Sequence, residues 1–189
     1  MGFAKLKTKI SLEEYLEGEE ISKIRHEFID GEVNAMASES QNHNRISGNI
    51  FNALSNHLQD SPCETYVENI KVRADDDVFY YLDVLVTCDG NFKNPYYCDE
   101  PILIVEVTSP STVQIDRREK LRAYRQMPTD HEYVVEQEKI WVEIHRRQLD
   151  ATWITYFFSR NDIEFKLESV DLTVQLAELY RRVDFNENI

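Results

Sequence analysis

Glu106 lies in the run PILIVEVTS (101–109), flanked by apolar residues from Ile102 to Val107, and Asp83 lies in YYLDVLVT (80–87) between Leu82 and Val84. An unpaired charge is costly to bury, so a carboxylate in such a run is expected to be paired, protonated or bound to a cation. If the two runs are adjacent strands, Asp83 and Glu106 can share one divalent ion. So few hard oxygen donors suit Mg2+ or Mn2+, which keep waters and complete their shell with a substrate phosphate. The competing reading leaves Asp83 at a strand end in solvent and Glu106 in a buried pair with a lysine or arginine.

Downstream, Asp116, Lys120 and Tyr124 recur at steps of four and share one face of a helix predicted over 112–127. That face turns Lys120 toward the sheet, where an ammonium beside two carboxylates could orient an attacking water and stabilise charge growing on a phosphate. A solvated Asp116–Lys120 pair, worth on the order of 0.3–0.5 kcal/mol, is the plain alternative. Arg117, Arg118, Arg122 and Arg125 give this helix a basic surface, read either as a solvated face or as a positive rim to a cleft. Glu27 starts the first strand, as a further carboxylate or a hairpin cap. His43 opens a long helix, where a hydrogen-bonded structural histidine is commoner than a ligand.

Several elements must position these groups. Ser11 and Glu14 form a capping-box pattern ahead of a helix over 11–19. HEFIDGEVNAMA reads as a hairpin about Asp30-Gly31. Ile46, Ile50, Phe51, Leu54 and Leu58 recur at helical spacing within 39–59, with Pro62 beyond. ETYVENIKVRA, FYYLDVLVTC and PILIVEVTS read as three strands. After the helix stopped by Pro128, HEYVVEQ, KIWVEIHRR and ATWITYFF read as an antiparallel meander, and LTVQLAELYRRV as a short helix. With no repeats and no long linker, residues 1–189 read as one α/β domain, a mixed sheet flanked by helices.

A hydrophobic content of 42% with 11% aromatic residues excludes a disordered chain. The net charge of -14 disfavours non-specific coating of nucleic acid, although a metal ion and a local basic patch can offset it where a substrate docks. Cys63, Cys88 and Cys98 are odd in number and lack C-x-x-C spacing, so neither a disulfide framework nor a structural zinc site is implied. Without an apolar leader in MGFAKLKTKI or a segment of membrane-spanning length, a cytoplasmic protein with no membrane contact is expected. Phosphate-binding glycine loops, G-x-S-x-G and H-E-x-x-H are all missing from the sequence.

HEFIDGEV, HNRISGNIFNAL, YYLDVLVTCD and ILIVEVTSPST, with the spaced Asp116, Lys120, Leu121 and Tyr124, together resemble the Uma-two family of restriction endonucleases over residues 11–148. That family is a branch of the PD-(D/E)XK nuclease superfamily. The resemblance implies a restriction-endonuclease-like core whose central strands carry Asp83 and Glu106 as metal ligands, with the main-chain carbonyl of Val107 as a third. It also implies Lys120 as the catalytic lysine and Glu27 as the family's early glutamate, and it matches His43 to a recurrent position. Leu82 replaces the superfamily's proline, a mild change because proline there only shapes strand entry. Thr108 stands where the E-x-K pattern has lysine, so the lysine must come from the helix, as it generally does in this family. The implied activity is an Mg2+-dependent (or Mn2+-dependent) endonuclease hydrolysing DNA phosphodiester bonds by metal-activated water. Double-strand cutting would favour a symmetric homodimer. The alternative, from another class, is a catalytically silent nuclease-fold module acting through a protein or nucleic-acid partner.

Overall fold

Residues 64–67 pair antiparallel with 84–87 and residues 71–75 with 78–81, so that the two arms of a hairpin-like pair pass from one sheet into another. The computed structural model describes residues 9–36, 38–68, 70–88, 94–108, 119–127, the main chain of 131–136, and 139–185. A five-stranded sheet runs in the order β2 (Glu32–Ala35), β1 (His26–Ile29), β5 (Val78–Tyr81), β4 (Lys71–Asp75), β7 (Tyr97–Cys98). A six-stranded mixed sheet runs β11 (Trp153–Ser159), β10 (Trp141–Arg147), β9 (His131–Glu136), β8 (Leu103–Thr108), β6 (Val84–Thr87), β3 (Glu64–Val67). Two of the three central strands expected from sequence are therefore each split in two. β3 turns away at Glu68, which adopts a φ of 46°, and β5 gives way to β6 at Leu82-Asp83. The Glu68 N–H donates to the Asp83 carbonyl at 3.0 Å, so the two breaks stack and the hairpin bends as a unit.

The helices cover the sheets as their apolar faces demand. α1 (Leu12–Ile21) carries the expected capping box between Ser11 and Glu14 and drives Tyr15 onto Phe28, with ring centroids 4.8 Å apart. α2 (Gln41–Leu58), capped by Ser40, lays Ile46, Ile50, Leu54 and Leu58 against Val84, Val86, Leu103 and Val105 of the six-stranded sheet. The other face of that sheet carries Leu85 and Ile104, which pack with Tyr124 and Met127 and with Val72 and Tyr80. Tyr124 closes α3 (Leu121–Tyr124), the last described part of the connection between the parallel strands β8 and β9. Strands paired in parallel need such a crossover. The meander β9–β10–β11 pairs antiparallel as expected. Of the helix expected over 112–127, the part with Asp116, Arg117 and Arg118 lies outside the described residues.

Two expectations are corrected. The run LTVQLAELYRRV begins as β13 (Leu172–Gln175), paired with β12 (Glu164–Leu167), before α4 (Leu176–Leu179). Its first half obeys period two, with Val174 buried between exposed Thr173 and Gln175. Cys63 and Cys88 form a disulfide. Pairing of Glu64 with Thr87 sets the two cysteines opposite each other, a relation that 25 residues of linear separation do not reveal. Among the described residues no helix is long and apolar enough to cross a membrane.

Candidate active site

Val84 pairs with Val105 across β6 and β8, where the register ends; Asp83 and Glu106 each follow directly on this pair, Asp83 in the break before β6 and Glu106 within β8. Residues directly opposite in an antiparallel pair share a face of the sheet. Along β8, Val105 and Val107 enter the core under α2, so Glu106 projects to the α3 side with Ile104. There the Tyr124 hydroxyl donates to Glu106 Oε1 at 2.6 Å, and Lys120 Nζ lies 3.4 Å from the same oxygen. Lys120 also reaches Glu27 Oε1 at 2.8 Å and stands 5.5 Å from the centre of the Tyr80 ring. Glu27 arrives from β1 because its neighbour Phe28 is drawn into the aromatic cluster on the opposite face. Lys120, only 6% exposed, thus links the two sheets. Glu119 and Lys120 lie in a π-type turn leading into α3, a widened geometry frequent at functional sites.

Asp83 occupies the strand break, where its side chain accepts from the Val107 N–H at 2.6 Å. His43 Nε2 approaches the same Asp83 oxygen at 3.2 Å and Glu39 Oε2 at 3.6 Å. Burial pushes the His43 pKa down, but the hydrogen bond and charge of Asp83, with the charges of Glu39 and Glu106, outweigh it, and the net shift is upward. His43 Nδ1 is buried without a hydrogen-bond partner among the described residues. The Tyr80 hydroxyl is pushed up to about 12, by burial first and then by Glu27, with Lys120 opposing.

Glu27, His43, Asp83, Glu106, Val107 and Lys120 all line one pocket of about 320 Å³. Every residue singled out as a candidate ligand or catalyst is therefore in one place. Glu39 and Glu119 line it too. Neither carries a sequence signal beyond its neighbours, Ser40 of the helix cap and Lys120. The lining carboxylates, Glu27, Glu39, Asp83, Glu106 and Glu119, outnumber Lys120 and His43, so the pocket attracts cations. Among the described residues no group of three or more His, Cys, Asp or Glu side chains is spaced to hold a metal ion. Asp83 and Glu106, with Val107 beside them in the lining, offer a small set of hard oxygen donors. That set fits Mg2+ or Mn2+, which need few protein oxygens when water and phosphate supply the remainder.

The expected arginine rim is not supplied by Arg122 or Arg125, neither of which lines the pocket. Arg125 Nη2 lies 3.2 Å from His145 Nδ1, and its guanidinium carbon sits 5.8 Å from the Trp153 ring centre. That side chain is directed to β10 and β11.

Comparison with known proteins agrees with this architecture. An uncharacterized protein of Synechocystis, slr1290, is 33% identical over 180 residues, covering 94% of each chain. A second uncharacterized Synechocystis protein, sll1609, is 31% identical over 168 residues, covering 83% of this chain and 93% of its own. The crystal structure of a putative nuclease belonging to DUF820 from Anabaena variabilis superposes with a TM-score of 0.74 over 90% of this chain and 97% of that one. At 15% identity this likeness shows a shared fold. The Uma2 family profile, described as putative restriction endonuclease, matches residues 12–177. With two relatives above 30% identity and a match over most of its length, the chain belongs to the Uma2 family of putative restriction endonucleases.

Proposed function

We propose that this protein is a metal-dependent endonuclease that hydrolyses DNA phosphodiester bonds in the pocket between the two sheets. The observation that carries the proposal is the convergence of Asp83, at the break before β6, and Glu106 of β8 on one pocket, with Lys120 bridging Glu106 to Glu27. Asp83, Glu106 and the Val107 carbonyl would hold Mg2+ or Mn2+, which would supply neutralising charge for a phosphate and ease loss of a proton from the attacking water. Lys120 stabilises charge on the non-bridging phosphate oxygens, and its buried position keeps water from screening that charge. Glu27 holds the ammonium in place. Tyr124 orients the Glu106 carboxylate by its hydrogen bond. His43, close to Asp83, fixes that carboxylate from the α2 side. Cutting both strands of a duplex would be done by two such sites in a symmetric homodimer.

The test is a cleavage assay on plasmid and single-stranded DNA in Mg2+ and in Mn2+, with Asp83→Ala prepared in parallel. Cutting by the wild type and none by the variant is expected; equal cutting by both would assign the activity to a contaminant.

One observation favours a second reading. Glu106 is engaged by Lys120 and Tyr124, and Asp83 by His43 and the Val107 N–H, so the protein itself neutralises both carboxylates. A catalytically silent binding module would look the same. Calorimetric titration with Mn2+ separates the two, since a silent module has no need for a cation at Asp83 and Glu106.

A further inference from the structure

Lys71 is 6% exposed, and among the described residues its ammonium makes neither a hydrogen bond nor an ion pair. It faces two aromatic rings, with centres 5.8 Å away for Tyr15 and 5.4 Å away for Tyr81. Burial holds its pKa below the ordinary lysine value, against the charges of Glu19 and Glu20. An ammonium on a largely buried side chain, without a direct ion-pair partner among the described residues, is costly to keep charged. The energy is recovered where an anion joins it.

The ammonium belongs to a pocket of about 520 Å³ between the end of α1, the segment leading to β1, and β4 and β5. Lys71 and Tyr81 face each other across β4 and β5. Lys23 and Arg25 add positive charge to the same pocket, and the Arg25 guanidinium carbon lies 5.8 Å from the Tyr81 ring centre. Against these three cations stand Glu19 and Glu20. Glu19 is already committed, to His26 Nδ1 at 2.6 Å and to the Tyr81 hydroxyl at 2.9 Å. A local excess of positive charge in a chain of net charge -14 is a specific feature of this pocket. Tyr81 lines both this pocket and the carboxylate-rich one described above, so the two adjoin, one suited to a cation and the other to an anion.

We infer that the Lys71 pocket is a phosphoryl-binding subsite, in which Lys71, Lys23 and Arg25 take a phosphate group of the nucleic acid whose scissile bond lies in the adjoining pocket. Lysine serves such a site as a compact point charge, and Arg25 as a forked donor at the mouth. The assignment of the phosphate to a nucleic acid rests on the nuclease reading; the phosphoryl chemistry of the pocket does not. A free phosphate monoester presents the same group, so the sources are separated by experiment.

Binding is measured without turnover, by fluorescence anisotropy of a labelled duplex and of a single strand in EDTA and in calcium, over a range of salt concentrations. Wild type is compared with Lys71→Met, Lys71→Arg and Arg25→Ala. Calorimetry with inorganic phosphate and with a nucleoside monophosphate forms the small-ligand arm. Lys71→Met removes a buried charge while keeping the volume, so it folds. It is expected to weaken polymer binding several-fold and to reduce the slope of log K against log salt by about 0.9, the equivalent of one phosphate contact on a duplex. Lys71→Arg is expected to retain most of the affinity. Phosphate or monophosphate binding that depends on Lys71, with no polymer binding, supports the phosphoryl pocket and removes nucleic acid as its source. Polymer binding that depends on Lys71, with no cleavage in Mg2+ or Mn2+, supports the subsite and overturns the hydrolytic reading alone. Unchanged affinity and slope in Lys71→Met, together with no Lys71-dependent binding of either small phosphate, overturn the subsite.

Discussion

The main-chain N–H of Val107 donates to Asp83 Oδ2 at 2.6 Å, tying the carboxylate at one strand break to the backbone of the neighbouring strand. A hydrogen bond to a charged acceptor contributes about 1.5–3 kcal/mol. Asp83→Ala is expected to lose about that much stability in urea denaturation, along with calorimetric Mn2+ binding. Wild-type Mn2+ affinity in the variant would remove Asp83 from the ligand set.

Lys120 stands between the carboxylates of Glu27 and Glu106 at 2.8 and 3.4 Å. Removing one partner of a buried ion pair costs about 3–5 kcal/mol because the other charge is left behind. Lys120→Ala is therefore expected to unfold at lower urea and, at temperatures where it stays folded, to cut DNA about 100- to 1000-fold more slowly. A protein as stable and as fast as wild type would take lysine out of both roles.

Lys71 gives a pH dependence of definite sign. Burial lowers its folded-state pKa below the unfolded value, so between the two the unfolded chain holds more protons and stability rises with pH. The charged form destabilises the fold at neutral pH. Lys71→Met should therefore raise the urea midpoint at pH 7, and the gain should shrink as pH approaches about 10.4, the ordinary lysine pKa. A gain that is constant across this range would show that ionisation is not its cause.

The Cys63–Cys88 bond closes a loop of 25 residues. Loop-closure entropy for that length corresponds to roughly 3.5 kcal/mol. Denatured, unreduced protein should show a single titratable thiol, from Cys98, and reduction should lower the urea midpoint. Three thiols without reductant would contradict the bond.

The residues that gather at the pocket were more legible in the sequence than the architecture that gathers them. Asp83 and Glu106 stood out because charge is out of place in an apolar run, and Lys120 because helical spacing turned it to the face of Tyr124. The break at Leu82 left no trace, since FYYLDVLV keeps its apolar, β-forming character straight through the corner. Arg125 was ambiguous for a related reason: spacing identifies a helix face, but only packing shows that this arginine meets His145 and Trp153. Lys71 carries no local signal, since its burial depends on Tyr15 of α1 and Tyr81 of β5, and the cysteine pairing waited on strand register. In each case the missing information was long-range, carried by contacts between segments rather than by local pattern.

Lys120 grips Glu27 on one sheet and Glu106 on the other, and this makes it a gauge of the gap between them. A side chain of fixed length can satisfy both contacts only while the sheets keep one separation. The proposed catalysis would thereby be coupled to a mechanical dimension of the fold, and a slight parting of the layers would break one of these contacts while every strand remained intact.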